Sequence, residues 1–277
     1  MQTLTLSLVQ TSLFWEDKSS NLEMLSKKIS GITEKTEVVI LPEMFNTGFS
    51  LNPGALAETM DGPTVKWMKK IAAEKKCILT GSVIIKEAGG PEPLFFNRLI
   101  WMQPDGNYGY YDKRHLFAYG KEHESFNAGK TRLIASVKGW KIQLQICYDI
   151  RFPIWLRQSN PASPLPEPVK EKTELEYDVL IVVANWPVSR IHAWKTLLQA
   201  RAIENQCFVI GVNRTGTDGN GLAYSGDSMI VGPLGEIIRA LPENEDILTL
   251  TLNKEITETT RKQFPFWKDA DHFLIQS

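Results

Sequence analysis

Residues 179–212 read VLIVVANWPVSRIHAWKTLLQARAIENQCFVIGV. The opening run, Val179 to Ala184, is uninterrupted apolar sequence rich in β-branched residues, the pattern of a strand buried on both faces. Ser189 suits a helix N-cap, and apolar side chains then recur at Ile191, Trp194, Leu197, Leu198 and Ile203. That spacing predicts a long helix through about Gln206. A second apolar run, 207–213, predicts another strand. Strand, helix and strand in succession is the signature of an α/β fold.

The same alternation continues outward in both directions. Strands are expected at 2–10, 38–41 (VVIL) and 77–85, with helices over 18–35 and 64–76. Ser19, Ser20 and Asn21 are the available caps of the first helix, and Gly62-Pro63 starts the second. Residues 94–102 and 107–112 flank Pro104-Asp105-Gly106, where Pro fixes φ and Gly permits a positive φ, so they predict a hairpin. Residues 132–137 and 140–146 form a second hairpin around Lys138-Gly139, and further strands are expected at 222–231 and 236–240. Hairpins among parallel strands make the sheet mixed. The reading is one domain over residues 1–277, with either one large mixed sheet or more than one. The Pro-rich, charged stretch 159–178 reads as a surface loop.

Composition removes several classes of function. Of 277 residues, 43% are hydrophobic and 23% charged, which excludes a disordered, collagen-like or coiled-coil chain. Lys and Arg total 31 against 32 Asp and Glu, so the basic excess of a nucleic-acid binder is missing. The N-terminal MQTLTLSLVQ reads as a strand rather than a leader, and no 18-residue apolar window predicts a membrane span. The expected compartment is the cytoplasm. Three scattered cysteines, Cys77, Cys147 and Cys207, with no CxxC, give neither a disulfide framework nor a zinc ribbon.

Reactive side chains collect just after the apolar strands, where ligands of α/β sheets bind. VVILP leads into Glu43, the strand ending at Asp112 into Lys113, and QLQI into Cys147. VLIVVA leads into Asn185-Trp186, and FVIGV into Asn213-Arg214. Cys147 lies between a buried strand and a turn that ends at Pro153, a helix start. A sharp strand-to-helix turn exposes a nucleophile and aims backbone N–H groups at a developing oxyanion. A free Cys there also serves as a small buried apolar residue. A thiol nucleophile needs a base. None of the four histidines has a recognisable orienting partner, so a carboxylate of raised pKa is the candidate, and Glu43 follows a core strand. A glutamate so placed equally caps a helix or pairs with a base. Lys113 suits a fixed cation that lowers the thiol's pKa and neutralises an oxyanion, or a surface lysine in the charged run DKRH.

Taken together, three blocks carry a resemblance: LPEMFNTGF (41–49), YDKRHLF (111–117) and ICYDIRFP (146–153). It continues through VVANWP (182–187), WKTLLQARAIENQ (194–206) and GDSMIVGPLGEII (226–238). The chain resembles the nitrilase superfamily of carbon–nitrogen hydrolases over nearly its whole length, and within it is most similar to the omega-amidase branch. The resemblance implies a four-layer α-β-β-α sandwich, with two mixed sheets between helix layers. It also implies a homodimer paired through helices beside the catalytic turn, and no metal or organic cofactor. Glu43, Lys113 and Cys147 take the places of base, cation and nucleophile, with the Tyr148 N–H as second oxyanion donor. A second glutamate belongs to a Glu-x3-aromatic-x2-Gly pattern, which Glu122 fits with Phe126 and Gly129, while Glu124 lies close enough to compete. Two carboxylates together raise one pKa by like-charge repulsion.

The implied substrates are short 2-oxo dicarboxylic acid monoamides, 2-oxoglutaramate and 2-oxosuccinamate, cleaved to acid and ammonia through a thioester. Phe45, Tyr119 and Trp186 are candidate pocket walls. Arg190, His192 and Arg214 are candidate ligands for the far carboxylate, and Asp149 and Arg151 candidate braces of the turn. The same blocks also fit a nitrilase, a carbamoylase or an amidase for longer amides, and a family-shaped scaffold without catalysis stands as the remote alternative.

Overall fold

The computed structural model describes residues 2–158, 175–271, 273 and 275, so the surface loop expected over 159–178 lies largely outside the described residues. Its strands run Thr3–Gln10 (β1), Val38–Ile40 (β2), Ile78–Glu87 (β3), Leu94–Met102 (β4), Tyr108–Asp112 (β5), Ile134–Val137 (β6) and Trp140–Ile146 (β7). They continue as Val179–Ala184 (β8), Phe208–Asn213 (β9), Thr215–Thr217 (β10), Ala223–Ser225 (β11), Met229–Val231 (β12), Ile237–Ala240 (β13) and Asp246–Asn253 (β14).

Two mixed sheets result, in the orders β14-β1-β2-β3-β4-β5 and β13-β12-β9-β8-β7-β6, while β10 and β11 form a separate ribbon. Each sheet has three parallel strands at its centre, β1-β2-β3 in one and β7-β8-β9 in the other, with antiparallel neighbours outside. The alternating side-chain period of a strand divides each sheet into two faces. Leu4, Leu6 and Leu8 of β1 meet Ile142, Leu144, Val179, Ile181 and Ile210 between the sheets. The opposite parity faces helices: Val9, Val39 and Leu79 pack with the helices Lys18–Ser30 and Pro63–Lys75. On the other sheet Leu180, Val182 and Val209 pack with the helix Ile191–Asn205. The order is helix, sheet, sheet, helix. The four-layer sandwich therefore replaces the single large mixed sheet that periodicity alone allowed. Among the described residues no helix is long and apolar enough to cross a membrane.

Differences from expectation are local. The first helix stops at Ser30, and its cap is Asp17, which accepts from the Ser20 N–H at 3.0 Å. Asn21 is instead buried and bonds the Phe14 and Asn46 carbonyls. Ser189 sits within a 3-10 turn, Val188–Arg190, and the long helix starts at Ile191. The expected strand 222–231 splits into β11 and β12, because Gly226 and Asp227 both take positive φ, 73° and 55°. Strand β14 was not anticipated: it pairs antiparallel with all of β1 along one edge of the first sheet.

Candidate active site

The two halves of the sandwich deliver their strand ends to one place. Glu43 follows β2, Lys113 follows β5, Cys147 follows β7 and Asn185 follows β8. Backbone contacts fix each approach. The Lys113 N–H donates to the Asn97 carbonyl at 3.0 Å, and its own carbonyl accepts from the Gly129 N–H at 2.9 Å. Gly129 has no room for a side chain, since a Cβ there would lie 2.0 Å from the Asp112 carbonyl oxygen. The glycine of the Glu-x3-aromatic-x2-Gly pattern thus lets the loop close on the strand that carries Lys113. Gly129→Ala is expected to lower stability by about 1–3 kcal/mol through this overpacking, and to lower turnover with it. Urea unfolding and a rate assay check the pair of effects.

Lys113 is buried between two buried carboxylates. Its Nζ lies 2.9 Å from Glu43 Oε1, and 3.0 and 2.9 Å from Glu122 Oε1 and Oε2. Glu122 also accepts from the Phe117 N–H at 2.6 Å, whereas Glu124 is exposed, so the second glutamate of the cluster is Glu122. Two asparagines complete the cage. The Asn97 Nδ2 donates to Glu43 Oε1 at 2.8 Å, and the Asn185 N–H donates to Glu43 Oε2 at 2.8 Å. Sequence reasoning passed over Asn97. Its signal was an Asn-Arg pair interrupting the otherwise apolar strand FFNRLIWM.

Cys147 takes φ +45°, a left-handed conformation that a side chain adopts only where its surroundings hold it. Asp149 supplies much of that hold. Its carboxylate accepts from the Ile146 N–H at 3.2 Å, the Tyr111 hydroxyl at 2.8 Å and the His115 N–H at 2.8 Å. The His115 ring Nδ1 lies 2.9 Å from the same group. His115 therefore does have an acidic partner, but it serves the turn. The 3-10 turn Cys147–Arg151 begins at the nucleophile, so its first N–H groups, Tyr148 included, find no acceptor within it. They are oriented donors beside the thiol.

The electrostatics follow from this packing. Burial raises the Cys147 pKa well above the usual thiol range, and the Glu43 charge and the thiol's hydrogen bond to Glu43 raise it further, against the opposing pull of Lys113. Burial opposes the charge on Lys113, but Glu122 and Glu43 outweigh it and leave the ammonium harder to deprotonate than an ordinary lysine. Glu122 is raised by burial and by Glu43, with Lys113 acting against both. One cation shared by two carboxylates makes a thiolate a third anion in the same cluster. The resting cysteine is a thiol with a carboxylate ready to take its proton. The rate of Cys147 alkylation by iodoacetamide is therefore expected to keep rising above pH 9, past the ordinary thiol pKa of ~8.5. In Glu43→Gln the rise moves to lower pH, because the repelling charge is gone. Peptide mass spectrometry across pH reads both, and a plateau in wild type near pH 8 contradicts the assignment.

Cys147 is partly exposed at a cavity of about 380 Å³. Trp186 lines it as expected, and the Asn213 Oδ1 accepts from the Trp186 N–H at 2.7 Å. Tyr148 lines it too. Phe45 does not: it lies in the core with its ring 5.7 Å from Trp67, and Phe49 takes the place in the wall. The reason is the backbone at Met44, whose φ of +42° turns the chain and leaves the Phe45 N–H bonded to the Ser82 carbonyl on β3. Tyr119 is 87% exposed and outside the wall. His192 is exposed and Arg214 is buried against the Thr215, Leu13 and Thr217 carbonyls. Arg190 and Arg151 both line the cavity, so Arg151 is a wall residue as well as part of the turn.

A model of the family described as Carbon-nitrogen hydrolase matches residues 5–262. The chain belongs to the carbon-nitrogen hydrolase family. It is 38% identical to the omega-amidase YafV of Escherichia coli (strain K12), covering 99% of this chain and all of that one. It is 30% identical to a 2-oxoglutaramate amidase of Bacillus subtilis (strain 168), covering 96% of each. Among solved structures, a CN-hydrolase superfamily protein from Xanthomonas campestris superposes with a TM-score of 0.92 at 42% identity over the full length of both chains; that protein carries an arsenic adduct in its active site. This carbon-nitrogen hydrolase is thus a nitrilase-superfamily amidase, a hydrolase of non-peptide C–N bonds.

Proposed function

We propose that the chain is a cysteine-dependent omega-amidase, acting in the cytoplasm, that hydrolyses the terminal amide of 2-oxoglutaramate, 2-oxosuccinamate or close analogues. The observation that carries the mechanism is the buried Glu43–Lys113–Glu122 cluster beside a partly exposed Cys147. Glu43 removes the thiol proton as sulfur attacks the amide carbon, and the C=O π electrons move onto oxygen. Lys113 and the Tyr148 N–H stabilise that oxyanion in a site already organised for it. Collapse of the intermediate breaks the C–N bond, with Glu43 returning the proton to the leaving ammonia. A thioester on Cys147 remains. Water, deprotonated by Glu43, then attacks the thioester; the C–S bond breaks, the acid leaves, and Glu43 returns the proton to the Cys147 sulfur. Glu122 holds Lys113 in place and keeps the cluster's negative charge close to the base.

The substrate class rests on the similarity to omega-amidases and on a small cavity with arginines in its wall. Ammonia release from 2-oxosuccinamate, 2-oxoglutaramate, glutamine, a simple nitrile and an N-carbamoyl amino acid tests it. Turnover of the two 2-oxo amides far above the rest is the expected result, and preference for the nitrile or the carbamoyl compound contradicts it. We also propose a homodimer through the surface beside the catalytic turn, where Ile154 and Ile203 stand half exposed. Light scattering reads the mass.

A further inference from the structure

Within the cavity wall the charged groups are not equivalent. Lys113 is committed to Glu43 and Glu122. Asp218 has both oxygens occupied: Oδ1 accepts from the Asn220 and Leu222 N–H groups at 2.9 and 3.0 Å, and Oδ2 from the Tyr224 hydroxyl at 2.8 Å. Arg214 lies behind Tyr224, its guanidinium 4.8 Å from that ring, so a buried cation stands near the Asp218 charge. Arg151 and Arg190 are different. Among the described residues neither guanidinium has a carboxylate partner, and each lies against an aromatic wall, Arg151 at 5.0 Å from the Trp186 ring and Arg190 at 5.1 Å from the Phe117 ring.

Arg190 comes from outside the catalytic turn. The Trp186 Nε1–H donates to its carbonyl at 2.8 Å, which ties its backbone to the wall. Its head reaches Phe117, whose ring lies 5.1 Å from that of Tyr148, the residue next to the nucleophile. Trp186 thus holds the Arg190 backbone and Phe117 lies beside its guanidinium, in a cavity that also opens on Cys147. A guanidinium beside an aromatic ring, with no acid bonded to it, keeps its planar donors free for a carboxylate, which they meet in bidentate geometry.

We propose that Arg190 is a specificity-determining residue of the site: it binds the carboxylate at the far end of the substrate from the scissile amide, and so favours amides that carry such a carboxylate over uncharged ones. This rests on the omega-amidase reading for the identity of the amide, but not for the carboxylate contact itself. A substrate held there pairs its negative end with Arg190, while an uncharged amide offers the guanidinium no such group.

The test uses the full chain and two readouts. Calorimetric titration with 2-oxoglutarate measures carboxylate binding without turnover, in wild type, Arg190→Gln, Arg190→Lys and Arg151→Gln. Arg190→Gln is expected to weaken binding at least tenfold, as loss of a charge-assisted contact does, with Arg190→Lys between it and wild type. In the rate assay the preference for 2-oxosuccinamate over uncharged butyramide falls at least tenfold in Arg190→Gln, chiefly through KM. Wild type that does not bind 2-oxoglutarate overturns the proposal. So does a change of less than threefold in Arg190→Gln, or a loss found in Arg151→Gln with Arg190→Gln unaffected. Arg190-dependent binding by a protein that releases no ammonia from 2-oxo amides supports the carboxylate contact and removes the omega-amidase reading, so the two fail separately.

Discussion

Cys147→Ala is expected to abolish ammonia release to the detection limit while leaving the fold intact. The thiol's polar partners are the Glu43 carboxylate and, at 4.0 Å, the Asn185 carbonyl, neither of which holds the turn. Its left-handed φ is held by the Asp149 network, which the substitution leaves in place. A structural cysteine would behave otherwise, losing stability in proportion to its packing. The companion variant Glu43→Gln keeps the thiol and is expected to lose about 10²–10⁴-fold in rate, the usual worth of a positioned general base. Circular dichroism and urea unfolding verify that Cys147→Ala folds, and residual turnover above one per cent removes the cysteine from the mechanism.

Lys113→Met is the second large effect, and it strikes activity and stability together. Among the described residues the Lys113 ammonium is the one cation bonded to two buried carboxylates. Removing it leaves Glu43 and Glu122 unpaired in the core, and breaking a buried pair in this way typically destabilises by about 3–5 kcal/mol. Loss of an oxyanion donor adds a fall in kcat of about 10²–10³. The pH dependence has a definite sign. With Lys113 gone, burial and the Glu43 charge act on Glu122 unopposed, so the folded protein binds a proton there more tightly than the unfolded chain does, and stability falls as pH rises. The variant is expected to lie further below wild type at pH 8 than at pH 5. Urea midpoints at both values measure it, and a deficit larger at pH 5 contradicts the arrangement.

Strand ends were legible in the sequence because burial writes a continuous apolar run, and whatever polar residue follows must stand at the sheet's edge. That logic reached Glu43, Lys113, Cys147 and Asn185, and the structure brings all four to one place. Glu122 came from spacing to Phe126 and Gly129, and the near contact of Gly129 with Asp112 gives that spacing its physical reason. What sequence could not give was the direction of side chains at turns. Phe45 and Phe49 are equally apolar, and only the positive φ at Met44 decides which of them faces the cavity. Arg190 and Arg214 each follow a strand end closely; one enters the cavity wall and the other is consumed by backbone carbonyls. Strand β14 escaped notice although DILTLTLN alternates with period two, because its side chains are only half buried at the sheet edge. Asn97 was hidden for the converse reason, as a single polar residue inside a strand otherwise given to the core.

The most direct test of the central claim is mass spectrometry of the wild-type protein quenched in acid during steady turnover of 2-oxosuccinamate. The expected result is a fraction of molecules heavier by the acyl group, with the added mass on the peptide containing Cys147 and none in Cys147→Ala. Turnover at full rate with no adduct on Cys147 in a trapped single turnover, or an adduct on Cys77 or Cys207 instead, would contradict a thioester at Cys147.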